Sequence, residues 1–277
     1  MVFKKNIPNM LTCGNLVCGC IATMFAFSHL FLQTQHSHVD MHLLEMAFLF
    51  ILFGAVFDFF DGFVARLLGV SGPLGVQLDS LADVVTFGVA PSSMIFALFT
   101  QVYYPEMLQD PFWFKYLPYT AFLLAAFSAF RLAKFNIDER QHTGFIGMPT
   151  PACAIFWGAL ISSSEDFLRS PRFNAAFLLA FVLMFCFLLV SEIPMFALKF
   201  KNYNLRSREN VIKFGFLACC LILLVVCGVI APEGHTWQYI CRGIAGSIGL
   251  YILINLVLHV IPSEAPSNSP KGERSEE

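Results

Sequence analysis

Eight apolar runs dominate this chain and constrain its fold more than any other feature. They cover roughly residues 10–32, 43–67, 76–100, 117–135, 149–164, 174–198, 210–231 and 238–260. Most approach the ~20 residues that a helix needs to span a bilayer. In hydrocarbon the backbone must satisfy its own polar groups, so such runs fold as helices. Charged residues make up 13% of the chain, against about 25% in soluble domains. The expected fold is therefore all-α, a polytopic membrane bundle of about eight transmembrane helices over residues 1–262. The fifth run is short, and Pro149 and Pro151 are expected to shape the start of its helix. Residues 263–277 are polar and rich in Ser, Pro and Glu, and are expected to be disordered.

Charge distribution orients the bundle. The net charge of −2 says little by itself, and no nucleic-acid partner is expected. Placing the N-terminus in the cytoplasm puts Lys4, Lys5, Arg66, Arg131, Lys134, Arg140, Lys199, Lys201, Arg206, Arg208, Lys213, Lys271 and Arg274 on the cytoplasmic side. Only Lys115, Arg169, Arg172 and Arg242 fall on the other side. That asymmetry, 13 against 4 of the 17 basic residues, follows the positive-inside rule. Both termini are then expected in the cytoplasm. No cleavable signal peptide is expected, because the first apolar run is long and leads into no soluble domain.

Four carboxylates interrupt this apolar background. Asp58, Asp61, Gly62, Ala65 and Arg66 recur at i, i+3, i+4, i+7 and i+8, one stripe of a helix. Gly75, Asp79 and Asp83 recur at i, i+4 and i+8, a second stripe. A carboxylate at membrane depth costs roughly 2.5–3.5 kcal/mol on insertion scales, and such residues mark functional sites. Two facing stripes would bring four acids to one point. Divalent cations would neutralise that cluster, and hard ions such as Mg²⁺ or Mn²⁺ prefer carboxylate oxygens. A cation or solute pathway through a transporter is an alternative use of the same acids. A polar helix interface is another, but packing requires no carboxylates.

The two stripes together read D-x2-D-G-x2-A-R-x8-G-x3-D-x3-D, and every fixed position is met between Asp58 and Asp83. This pattern resembles the signature of the CDP-alcohol phosphotransferase family. The resemblance implies transfer of a phosphatidyl group from a CDP-linked lipid to an alcohol, with release of CMP. It implies metal binding by Asp58, Asp61, Asp79 and Asp83 as a two-ion site, with Asp83 also the base that takes the hydroxyl proton. It implies nucleotide contact at Gly62, Ala65 and Gly75. Arg66 is open between pairing the pyrophosphate and bracing the acids. A homodimer is implied as well. Aspartate-rich prenyltransferases fit less well, because here the run continues into Ala65-Arg66 and a second acidic arm.

The flanks bear on the acceptor. Residues 78–92 (LDSLADVVTFGVAPS), 130–136 (FRLAKFN), 145–152 (FIGMPTPA), 191–194 (SEIP) and 7–15 (IPNMLTCGN) resemble, in order, runs of the serine-using members of that family. The implied substrates are CDP-diacylglycerol and L-serine, met at the cytoplasmic face of the inner membrane among membrane lipids. Glycerol phosphate or inositol phosphate as acceptor is the alternative within the family. Candidates for the serine pocket are Thr86, Phe87, Arg131, Asn136 and Asn15. Thr86 and Phe87 continue the Asp83 stripe at i+3 and i+4, and Arg131 could meet a carboxylate. Phe87 could instead face lipid, Arg131 and Lys134 could be helix-end anchors, and Asn15 and Asn136 could cap backbone. The basic run Lys199, Lys201, Arg206, Arg208 could attract anionic headgroups, although setting topology is its ordinary role. The nine cysteines form no C-x-x-C and are expected to be packing thiols. His36, His38, Asp40 and His42 form a loop cluster, read as solvated or as a weak metal site. The last two apolar runs carry no recognised motif.

Overall fold

The computed structural model describes residues 2–35, 42–70, 72–138, 145–163, 165–168, 170–196 and 208–260. Helices account for nearly all of them. In chain order they are α1 (Val2–Gln35), α2 (His42–Leu68), α3 (Pro73–Asp83), α4 (Ala90–Phe99), α5 (Pro111–Tyr116), α6 (Leu123–Ile137), α7 (Thr150–Ile161), α8 (Glu165–Leu168), α9 (Ala175–Val190), α10 (Arg208–Ile230) and α11 (Thr236–Val260). A two-stranded antiparallel ribbon pairs β1 (Phe145–Ile146) with β2 (Pro194–Met195).

Each of the eight apolar runs contains a helix. Among the described residues, six stretches are long and apolar enough to cross a membrane: Asn6–Leu32, His42–Leu68, Pro73–Phe99, Pro111–Ile137, Asn210–Ile230 and Thr236–His259. The other two are shorter, α7 with 12 residues and α9 with 16. At 1.5 Å per residue α7 is only about 18 Å long, in keeping with the shortness of the fifth run. Pro149 occupies the N-cap of α7, where its missing N–H costs nothing to the helix. The polar tail, the basic residues Lys199, Lys201 and Arg206, and His36, His38 and Asp40 lie outside the described residues; His42 opens α2.

The third span is not a uniform α-helix. Between α3 and α4 the backbone runs through a π-helical stretch, Val84–Val89, and the Ala90 N–H donates to the Val85 carbonyl, five residues back. The fourth span also changes pitch, from α5 through a 3-10 stretch (Leu117–Phe122) into α6.

Helix α1 packs along α2 and against α3 and α4, α6 packs on α9, and α11 packs on α7 and α10. Lipid offers no hydrophobic drive for association, so close packing must supply it. Small residues mark where it does. A methyl group on Gly158 would overlap the Phe48 ring, and one on Gly19 or Gly54 would overlap Thr86. Phe48, Phe87, Phe99, Trp157 and Phe185 are fully buried. The Phe156 and Phe185 rings stack with centroids 4.7 Å apart, and Trp157 meets Phe185 edge-on at 5.4 Å. Large apolar side chains such as Phe53, Phe59, Leu221 and Val225 point outward, as a lipid-facing surface requires. All nine cysteines are unpaired thiols.

Candidate active site

The two acidic stripes face each other. Carboxylate oxygens of Asp58 and Asp61 on α2 and of Asp79 on α3 lie within 4.8 Å of one another. Asp83, one turn after Asp79, is buried beside them but outside that group of three. Helix α1 supplies a third wall. The Thr12 hydroxyl lies 2.6 Å from Asp61 Oδ2 and 3.1 Å from the Pro8 carbonyl. Its single proton is better used on the charged oxygen, where the hydrogen bond is stronger. Asn15 Nδ2 donates to Asp83 Oδ1 at 3.0 Å. Thr12 and Asn15 are three residues apart, so one face of α1 holds one acid from each stripe.

The donor set suits a hard divalent cation. It offers several carboxylate oxygens at close quarters and no soft ligand. The buried Asp79 Oδ1 has no hydrogen-bond partner, and neither has the buried Asn15 Oδ1. Buried polar atoms in native proteins are nearly always paired, so Asp79 Oδ1, within the acidic group, is left for a ligand the polypeptide does not supply, whereas Asn15 Oδ1 lies against Gly54 of α2. Asp58, Asp61 and Asp79 are the residues that could hold a metal.

Beside the acids lies a cleft of about 140 Å³, lined by Thr12, Asp61, Gly62, Ala65, Gly75 and Asp79 among others. The two glycines of the signature border it for a reason other than packing. A methyl group on Gly62 would meet nothing nearer than Arg66 Nη2 at 3.9 Å, and one on Gly75 nothing nearer than Asn9 Oδ1 at 3.4 Å. Gly19 and Gly54, where helices do press together, behave in the opposite way. The absence of a side chain at Gly62 and Gly75 keeps a cleft open, which a plain helix interface would not need. Arg66 sits in the last turn of α2 and is exposed, where its charge also complements the helix C-terminus.

The serine-pocket candidates separate. Thr86 and Phe87 are fully buried. The Thr86 hydroxyl donates to the Asn15 carbonyl at 2.9 Å, and Phe87 belongs to the hydrophobic core rather than to the lipid-facing surface. The π-helical stretch begins right after Asp83, so the period that would align all three residues changes there. Arg131 is buried, its Nε has no hydrogen-bond partner, and its guanidinium lies over the Phe135 ring, 5.8 Å from the centroid. Asn136 is exposed and donates to Ser80 Oγ at 2.8 Å. Thr12 was not singled out from sequence, although its spacing from Asn15 within residues 7–15 was the available signal.

The separated motif runs meet at this end of the bundle. Asn136 ties residues 130–136 to the acidic arm at Ser80. Lys134 pairs with Glu192 at 3.2 Å. The Gly147 N–H donates to the Ile193 carbonyl at 2.9 Å, and Gly147 adopts φ +76°, where a side chain would also strike the Leu189 and Ser191 carbonyls.

Residues 5–198 match the family model described as CDP-alcohol phosphatidyltransferase. The chain belongs to this family. Similar curated proteins include the CDP-diacylglycerol–serine O-phosphatidyltransferase of Bacillus subtilis, 34% identical over 211 residues, covering 74% of this chain and 95% of that protein. The protein of the same name from Helicobacter pylori strain 26695 is 30% identical over 203 residues, covering 72% of this chain and 75% of its own length. That of Mycobacterium bovis is 29% identical over 252 residues, covering 85% of this chain and 76% of its own. The family match includes both acidic stripes and the ribbon, and stops before α10 and α11.

Proposed function

We propose that this protein transfers the phosphatidyl group of CDP-diacylglycerol to L-serine, giving phosphatidylserine and CMP. The observation that carries the reading is the set of three converging carboxylates beside a cleft that two signature glycines keep open. The acceptor follows from the names of the similar proteins and from the flanking runs that meet the site.

In this reading Asp58, Asp61 and Asp79 hold Mg²⁺ or Mn²⁺, as two ions, with Asp83 alongside. Bound there, a divalent cation would stabilise charge on the phosphoryl oxygens and on the departing CMP. Gly62, Ala65 and Gly75 admit the nucleotide close to the helix backbone, and Arg66 lies where a pyrophosphate would pass. Arg131 receives the serine carboxylate through charge-assisted hydrogen bonds. Asp83 accepts the serine hydroxyl proton. Asn15 occupies Asp83 Oδ1 and so leaves the other oxygen to act as the base. The serine oxygen then bonds to the phosphorus, the bond to CMP breaks, and the proton remains on Asp83 until solvent removes it. Attack is direct, since acids committed to a metal leave no protein nucleophile.

The distribution of basic residues supports cytoplasmic termini and an active site on the cytoplasmic face of the inner membrane. Family resemblance supports a homodimer. The deciding experiment supplies purified protein with CDP-diacylglycerol, Mn²⁺ or Mg²⁺, and one alcohol at a time. CMP release with serine alone is expected. Release only with glycerol phosphate or inositol phosphate would move the acceptor. No release with any alcohol, from folded protein, would return the acids to a transport role.

A further inference from the structure

The helix pair α10–α11 lies beyond the family match, yet α11 is bonded to the ribbon that joins two of the motif runs. Two polar residues one turn apart on α11, Tyr251 and Asn255, are buried within its apolar stretch 248–258. A buried polar side chain at membrane depth is costly unless it is hydrogen-bonded. Both are bonded, and to one target. Asn255 Oδ1 accepts from the Phe196 N–H at 2.8 Å, and the Tyr251 hydroxyl donates to the Phe196 carbonyl at 3.0 Å. Asn255 Nδ2 donates back to the Tyr251 carbonyl at 2.7 Å. The Phe196 ring meets Tyr251 and, on α10, Phe216, with centroids 5.0 and 5.6 Å away.

Phe196 directly follows β2, and β2 pairs with β1, from which Gly147, Met148 and Pro149 lead into α7. The same turn is tied to α9, since the Met148 N–H donates to the Leu188 carbonyl at 2.9 Å. An open cleft of about 270 Å³ borders Phe196, between Pro149, Ala152, Phe216, Ser247 and Tyr251. The polar bonds to the Phe196 backbone therefore add to its aromatic contacts in fixing the ribbon. Glu192, two residues before β2, pairs with Lys134 at 3.2 Å, and Lys134 follows Arg131 by about one turn on α6.

We propose that Tyr251 and Asn255 are positioning residues for serine transfer: they clamp the backbone of Phe196 and so hold the ribbon and Arg131 in place to receive the acceptor. This rests on the reading of Arg131 as the serine-carboxylate ligand. A helix pair outside the catalytic family region would thus set acceptor affinity without touching the reacting atoms.

The test uses the full chain in lipid nanodiscs, with separate kinetics for serine and CDP-diacylglycerol. Tyr251→Phe removes only the hydroxyl and keeps the ring. It should raise the KM for serine about three- to tenfold, the scale of one net hydrogen bond. kcat and the KM for CDP-diacylglycerol should stay within about twofold of wild type, since no reacting group is altered. Asn255→Ala should move the same parameter, and hydrogen exchange at the Phe196 amide should accelerate in both variants. In an Arg131→Lys background, where serine KM is already raised, adding Tyr251→Phe should raise it little further. An unchanged serine KM in Tyr251→Phe would overturn the clamp, as would a parallel loss of kcat, both KM values and thermal stability. Wild-type protein that transfers to no serine, or an Arg131→Lys enzyme with normal serine KM, would overturn the acceptor reading, and this proposal with it.

Discussion

Thr12 and Asn15 stand one turn apart on α1, and each holds one carboxylate of the cluster. Groups that orient metal-ligating side chains are worth about 10- to 100-fold in metal affinity or activity. Thr12→Val removes the donor to Asp61 and keeps the branched shape. The expected result is a Mn²⁺ requirement raised by about 10- to 100-fold with a full rate at saturating metal, read from a metal titration of CMP release. Asn15→Leu removes the donor to Asp83 and should lower kcat by roughly 100-fold or more, the usual scale for disabling a general base, while the metal titration keeps its midpoint. The acids themselves were legible in sequence, because a carboxylate in an apolar run is conspicuous and the spacing was complete. Thr12 was not, because a threonine in a helix can bond its own backbone, and only the fold shows that its hydroxyl reaches Asp61. Phe87 was equally hidden among 32 phenylalanines, and its burial depends on which way the third span turns.

At the scale of elements, glycines divide into two kinds. Gly19 and Gly54 allow helices to press on Thr86, whereas Gly62 and Gly75 border the cleft. Gly19→Ala should therefore destabilise the bundle by about 1–3 kcal/mol, the usual range for overpacking, seen as a lower melting temperature in detergent. Gly62→Ala should leave melting unchanged or slightly higher, because alanine favours a helix by about 0.5–1 kcal/mol over glycine. Its cost should fall on the KM for CDP-diacylglycerol. Equal destabilisation by both substitutions would contradict the assignment of Gly62 to ligand contact. The eight helical runs were readable from apolar length. The π-helical stretch at Val84–Val89 was not, since nothing in its composition distinguishes it from an α-helical continuation. That change of pitch is why Thr86 and Phe87 serve packing in the structure while an α-helical stripe placed them beside Asp83.

For the whole molecule, six spans and two shorter apolar helices enclose one end where all the motif runs meet. The 13-to-4 distribution of basic residues supports the proposal that this end faces the cytoplasm. A fluorescent protein fused after Glu277 should therefore fold and fluoresce in bacterial cells, and alkaline phosphatase fused there should be inactive. The reverse pair of results would invert the topology. The convergence of distant runs explains how the sequence could reveal a site without revealing its walls. Order along the chain was visible, but the ribbon of Phe145–Ile146 with Pro194–Met195 and its bonds to α11 arise only when residues about 50 apart in sequence or more are brought together.

The most direct test of the account is CMP release from CDP-diacylglycerol and serine as a function of Mn²⁺, measured on wild type and Asp79→Asn side by side. Wild type should show saturable, chelator-sensitive release. Asp79→Asn should fall to background at every metal concentration while melting at least as high as metal-free wild type, since it relieves crowding among the acids. Release that survives chelation, or an Asp79→Asn protein with near-normal turnover, would contradict the assignment of Asp58, Asp61 and Asp79 as the metal centre.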